Sequence, residues 1–139
     1  MKSGFTLIEL LIVLAIIGAL MSIGIPIYTN ALQNAKAVVI AANMRIILDT
    51  VRTDLLMNQS PSANGTGTEY EVSDYVELDD IADYKLEIID NTDKWNVKVT
   101  YSGKSVNPDL VLKKLTGCAT ESKDDQNRVI CELDVEKIF

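Results

Sequence analysis

Between Phe5 and Tyr28 the chain reads FTLIELLIVLAIIGALMSIGIPIY, and Glu9 is the only charged side chain in that run. About 20 apolar residues in a helix span the roughly 30 Å hydrocarbon core of a bilayer, so the run is long enough to cross one. An ordinary secretory signal describes it poorly. Such signals have a shorter apolar core and end in a small-residue cleavage site. A plain signal anchor fits the length but leaves Glu9 unexplained. A carboxylate at the centre of a spanning helix costs about 2.5 to 3.5 kcal/mol, and less near the end, so Glu9 asks for a partner or a purpose. Lys2 and the amino terminus are the positive charges before the run, which favours keeping that end in the cytoplasm and the bulk of the chain outside.

Lys2, Gly4, Phe5, Thr6, Leu7 and Glu9 follow a recognisable processing pattern. It consists of a short basic leader ending in Gly, an aromatic residue, Thr-Leu, an apolar residue, and Glu five places into the mature chain. Over residues 1–35, roughly a quarter of its length, the chain resembles the prepilins of type IV pili. Gly18, Gly24 and Pro26 stand where that family carries helix weakeners. The resemblance implies a single-pass membrane precursor, cut between Gly4 and Phe5 by a prepilin peptidase and N-methylated on Phe5. It implies further that a pilus assembly platform builds the subunit into a helical homopolymer, an extracellular pilus. Glu9 would pair with the α-ammonium of Phe5 in a neighbouring copy, and the helix would melt locally between Gly18 and Pro26 in the filament. Pseudopilins of type II secretion or DNA-uptake machines share this N-terminal physics and are an alternative. A minor pilin or adhesin presenting its head is another.

Past Pro26 the pattern turns amphipathic without a break. Leu32, Val39 and Ile46 form one seven-spaced row, with Ala35 and Ala42 as another, while Ile40, Met44, Ile47, Val51 and Leu55 make a second apolar face. A helix from near Phe5 to Met57, about 75 to 80 Å at 1.5 Å per residue, is therefore expected. Pro26 removes one helical hydrogen bond and clashes with the preceding turn, so a modest kink there is the simplest expectation. Gly18 and Gly24 each lower helix preference by about 1 kcal/mol. An all-round apolar helix is stable in water only when something covers it. Membrane before assembly and neighbouring copies afterwards would do so.

Asn58–Thr68 is rich in breakers, with Pro61, Gly65 and Gly67, and holds two glycosylation triplets at Asn58 and Asn64. A short helix is expected around Asp74–Ile81. Tyr84, Leu86 and Ile88, then Trp95, Val97, Val99 and Tyr101, alternate with polar neighbours across the turn Asp90–Asp93, which is the pattern of a hairpin with one apolar face. Leu110–Leu115 reads as a strand or short helix, and Val129–Val135 as a last strand. The fold class that results is α+β: a long N-terminal helix packed on a three- or four-stranded antiparallel sheet. The organisation is a leader at 1–4, a membrane or filament-core helix at 5–28, an amphipathic half-helix at 29–57 and a globular head at 58–139.

Cys118 and Cys131 either bond to each other or both stay reduced. With no His in the chain, two thiolates do not complete a zinc site. A disulfide is the expectation for an exported head, where closing a loop of this size is worth about 3 kcal/mol. It would tie off a solvent-exposed loop, Gly117–Arg128. Asp124, Asp125 and Asn127 there, and Asp79, Asp80 and Asp83 earlier, are oxygen ligands of the kind calcium prefers, but neither run has the spacing of a calcium loop and solvated faces are expected. No cofactor is expected. The 13 Lys and Arg are scattered and outnumbered by 20 Asp and Glu, which argues against a nucleic-acid surface. The lack of His and of a nucleotide loop argues against an enzyme.

Overall fold

A computed structural model describes residues 4–61, 65–66, 68–123 and 126–138. It forms two compact units, Met1–Asn34 and Ala35–Phe139. One helix, α1, runs through Leu7–Asn58 and contributes to both. Pro26 lies inside it, where the missing amide leaves the carbonyl four residues earlier without its usual donor. Hydroxyls back-bond on either side: Ser22 Oγ donates to the Ala19 carbonyl at 2.7 Å and Thr29 Oγ1 to the Pro26 carbonyl at 3.0 Å. At the far end Gln59 adopts a left-handed conformation, φ 55°, and its amide donates to the Leu55 carbonyl at 3.0 Å. That geometry ends a helix by satisfying a carbonyl that the next turn would have used.

The second unit is built on a six-stranded antiparallel sheet in the order β1-β2-β3-β4-β6-β5. The strands are β1 Gly65–Thr66, β2 Glu69–Tyr70, β3 Tyr84–Asp90, β4 Lys94–Tyr101, β5 Cys118–Lys123 and β6 Gln126–Glu136. The expected hairpin is β3 and β4, with Asp90 opposite Trp95 and the Asn91 amide donating to the Lys94 carbonyl at 3.0 Å. Tyr84, Leu86, Ile88, Trp95, Val97, Val99 and Tyr101 are all buried, as their alternation requires. From α1 the sheet receives Ile40, Met44, Ile47, Val51 and Leu55, the second apolar face, together with Ala37 and Ala41. The seven-spaced row is left outside: Leu32, Ala35, Val39, Ala42 and Ile46 are exposed.

Four expectations need correction. The sheet has six strands because two short ones, β1 and β2, extend it beyond β3, and because Gly117–Arg128 is not a loop: β5 pairs with β6 from Cys118↔Cys131 to Lys123↔Gln126. An edge strand of this kind is held by main-chain hydrogen bonds and its crosslink, so its side chains need not alternate. No helix spans Asp74–Ile81; two 3-10 turns, Val72–Asp74 and Ile81–Asp83, stand at either end. The segment lacks an apolar stripe of helical period, and its Asp residues compete for backbone groups. At residues 110–115 the short-helix alternative holds, as α2 at Pro108–Leu112, which begins earlier because Asn107 caps it by accepting from the Asp109 amide at 3.0 Å with Pro108 following. The first helix starts at Leu7, two residues later than expected, for the capping reason given below.

Outside the core, charges pair across strands: Lys94 with Asp134 at 2.5 Å and Lys98 with Glu87 at 4.0 Å. At the end of the sheet Lys137 reaches Asp90 at 2.5 Å, lies 5.0 Å over the Trp95 ring, and donates its amide to the Asp93 carbonyl at 3.0 Å. The chain after β6 is thereby fastened to the β3–β4 turn. Arg45 joins α1 to the turn that follows α2 by donating to the Lys114 carbonyl at 2.5 Å.

Two neighbours on α1 separate burial from mere apolarity. Ile47 is fully buried while Ile46 is 46% exposed. Ile47→Ala is expected to lower the unfolding free energy of the detergent-solubilised chain by about 2 to 5 kcal/mol. Ile46→Ala is expected to change it by less than about 0.5 kcal/mol in the same denaturant titration.

Candidate functional site

The candidate site is the first unit, and it begins with a hydrogen-bonded cap. Thr6 is the residue before α1 and Glu9 the third residue of it, the arrangement of a capping box. The Glu9 carboxylate accepts from the Thr6 amide and from Thr6 Oγ1, both at 2.9 Å and both on Oε2. In return the Glu9 amide donates to Thr6 Oγ1 at 3.4 Å. A carboxylate in the first turn also opposes the positive end of the helix dipole. These bonds explain why the helix starts at Leu7: Thr6 serves as its cap instead of extending it. Sequence reasoning placed Thr6 in the processing pattern but missed it as a cap, although T-x-x-E before an apolar run is the written form of this cap.

From Gly4 to Leu32 every residue is exposed, including Phe5 at 83% and Leu20 at 67%. The apolar stretch of this helix buries none of its residues inside the described chain, so by length and composition it is able to cross a membrane. Gly18 and Gly24 sit in this surface with nothing within 4 Å of the place a Cβ would occupy, so no contact in the single chain requires glycine there. Gly24 leaves a shallow apolar notch between Ile17, Leu20, Met21, Ile25 and Tyr28. The single chain is helical through Gly18, Gly24 and Pro26. Gly4 and Phe5 lie just outside α1, in irregular chain ahead of the cap. Lys2 lies outside the described residues.

The second unit brings together a different set. Cys118 and Cys131 form a disulfide with Cα atoms 4.3 Å apart, bridging residues that face each other directly across β5 and β6. On the α1 side a cavity of about 300 Å³ is lined by Ala35, Lys36, Val39, Ile40, Asp80, Tyr84, Tyr101 and Ser105. Asn43 donates to the Tyr84 hydroxyl at 3.2 Å, and the Tyr101 hydroxyl lies 3.2 Å from Ser105 Oγ. Gly103 is needed beside them, since a Cβ there would collide with the buried Tyr101 ring and with Asp83. Among the described residues no three His, Cys, Asp or Glu side chains converge as a metal-binding group, so Asp79, Asp80 and Asp83 are not gathered into one. Asn127 is placed in β6, whereas Asp124 and Asp125 lie outside the described residues, as does Asn64 of the second glycosylation triplet.

Residues 1–25 match the prokaryotic N-terminal methylation motif. That motif is typical of type IV pilins and pseudopilins, and it supports a type IV pilin-like or pseudopilin protein. No solved structure matches the chain.

Burial raises the Tyr84 phenol above its ordinary value, against the opposing bond from Asn43. A raised value means that the folded state favours the neutral phenol. The stabilisation is whole below the unfolded-state value near pH 10 and is lost as pH climbs through the folded-state value. Denaturant midpoints in detergent at pH 9 and pH 11 are expected to fall further for the wild type than for Tyr84→Phe, which has no phenol to ionise there.

Proposed function

We propose that the chain is a structural subunit of a type IV pilus-like surface filament. The observation that carries this reading is a coincidence of place. The methylation motif occupies residues 1–25, and the same residues begin a helix whose apolar surface finds no cover within its own chain. Uncovered apolar surface of that extent is stable in a bilayer or against other copies, and a filament subunit meets the two in turn.

In the membrane stage the precursor is a single-pass protein with its head outside the cytoplasm. Prepilin peptidase removes residues 1–4 by cutting between Gly4 and Phe5, which frees the Phe5 nitrogen for methylation. The assembly platform then draws the subunit into a helical homopolymer. Residues 5–28 become the filament core, residues 29–57 join core to head, and 58–139 face outward. Glu9 pairs with the Phe5 ammonium of a second copy. In a dry environment an unpaired carboxylate is costly and a paired one is compensated, so this contact fixes stagger as well as affinity. Gly18, Gly24 and Pro26 supply a stretch where helix is least favoured, and local melting there would let neighbouring copies pack. The second unit plays the part of a head whose disulfide fastens an edge hairpin exposed to whatever lies outside. A pseudopilin remains the second reading, because its N-terminal requirements are the same.

Three measurements test this reading. Electron microscopy of sheared cell surfaces should find long filaments, with mass spectrometry identifying this chain as their main component and Phe5 as its methylated first residue. A short fibre confined beneath the outer surface would favour the pseudopilin. Glu9→Ala should insert and be cleaved but yield at least about ten-fold less filament, the effect of a lost charged pair; undiminished filament would remove Glu9 from assembly. Replacing Gly4 with a bulky residue should hold the chain in the membrane as uncut precursor, and shed material that still starts before Phe5 would contradict the assigned cut.

A further inference from the structure

We infer that the cavity on the α1 side of the second unit is a binding site for a small zwitterion, an α-amino acid with an apolar side chain. Its volume of about 300 Å³ is at the lower end of what ligand pockets enclose, so the occupant is small. Lys36 of α1 and Asp80 of the segment before β3 both line it. Among the described residues no ion pair joins these opposite charges to each other or to anything else. Asp80 stands immediately before the 3-10 turn Ile81–Asp83, yet its side chain caps nothing there. Tyr84 lines the same space and is 5% exposed. Its hydroxyl accepts from Asn43, and among the described residues nothing accepts its own proton.

The chemistry of these groups excludes simpler occupants. An anion drawn to Lys36 would also face Asp80, and a cation drawn to Asp80 would face Lys36, so a single charge meets repulsion as well as attraction. A molecule that carries a carboxylate and an ammonium meets both with the right sign. Tyr84 adds a neutral donor for the carboxylate, because its buried phenol keeps its proton at neutral pH. The wall contributed by α1 is apolar and consists of Ala35, Val39 and Ile40. Val39 is 58% exposed, so an apolar side chain seated against it removes surface from water that the chain itself leaves open. Every residue of the site belongs to the second unit, and the inference does not depend on the filament reading.

Ligand-observed NMR titration of the uncut full chain in a non-ionic detergent tests this with three probes. They are L-leucine, L-leucinamide, which lacks the carboxylate, and N-acetyl-L-leucine, which lacks the ammonium. L-Leucine should bind saturably with a Kd of about 1 mM or tighter, an affinity within reach of a ligand of its size. Each of the other two should bind at least about ten-fold more weakly, the effect of one lost charged hydrogen bond. Lys36→Gln should weaken L-leucine about ten-fold and leave L-leucinamide unchanged, whereas Asp80→Asn should weaken L-leucine equally and leave N-acetyl-L-leucine unchanged. Both side chains are exposed, so the denaturant midpoints of the two variants should match the wild type.

No saturable binding of L-leucine to the wild type would overturn the inference. Equal binding of the three probes would also overturn it, by marking the cavity as a seat for an uncharged side chain, such as one from a second copy. Undiminished L-leucine binding in both variants, at unchanged midpoints, would put the amino acid elsewhere on the chain and overturn it as well.

Discussion

A helix side chain can be covered by its own chain or by something else, and α1 divides those two conditions along its length. From Ala37 to Leu55 one face is sealed against the sheet, and residues such as Met44, Ile47 and Val51 are fully buried. From Gly4 to Leu32 every residue is exposed among the described residues. Everything else follows from how these conditions are met. The sheet exists to supply an inner face for seven helix residues, and its outer face is free to carry paired charges because no second layer is asked to pack there. The N-terminal run has no such arrangement and depends on its surroundings.

Much of this was legible in the amino-acid order. The long apolar run, the amphipathic continuation on Ile40, Met44, Ile47, Val51 and Leu55, and the β3–β4 alternation each follow a simple period, and periods survive without tertiary information. The disulfide could be proposed from having two Cys and no His. What could not be read were elements whose stability comes from elsewhere. β5 has the composition of a loop, ATESK after its Cys, because pairing with β6 and a covalent bond hold it in place. Of the apolar rows of α1, the face of Ile40, Met44, Ile47, Val51 and Leu55 is the one the sequence lays against the sheet, and accordingly Ile47 is buried while Ile46 is exposed. The acidic segment before β3 offers no period, and its 3-10 turns are set by where Val72 and the start of β3 must go.

The candidate site was legible in a different sense. Gly4, Phe5, Glu9 and the glycines and proline of the run were recognised by pattern, as a string, and the pattern did not disclose how Glu9 is held. Its cap with Thr6 was written in the same string as T-x-x-E. A carboxylate in an apolar run invites a search for distant partners, and that search hides a donor three residues away. The geometry restores the local explanation, with both bonds donated by Thr6 falling on Oε2.

The Cys118–Cys131 bond joins β5 to β6, with Ala119, Thr120 and Glu121 of β5 facing solvent. Because the attachment is made by sulfur and by the main chain, those side chains contribute little to holding the strand. The sheet's outermost edge can therefore accept substitutions at those side chains while its backbone stays where it is. This edge is held by one sulfur–sulfur bond and by the main chain, and the chemistry of the face it shows is left free.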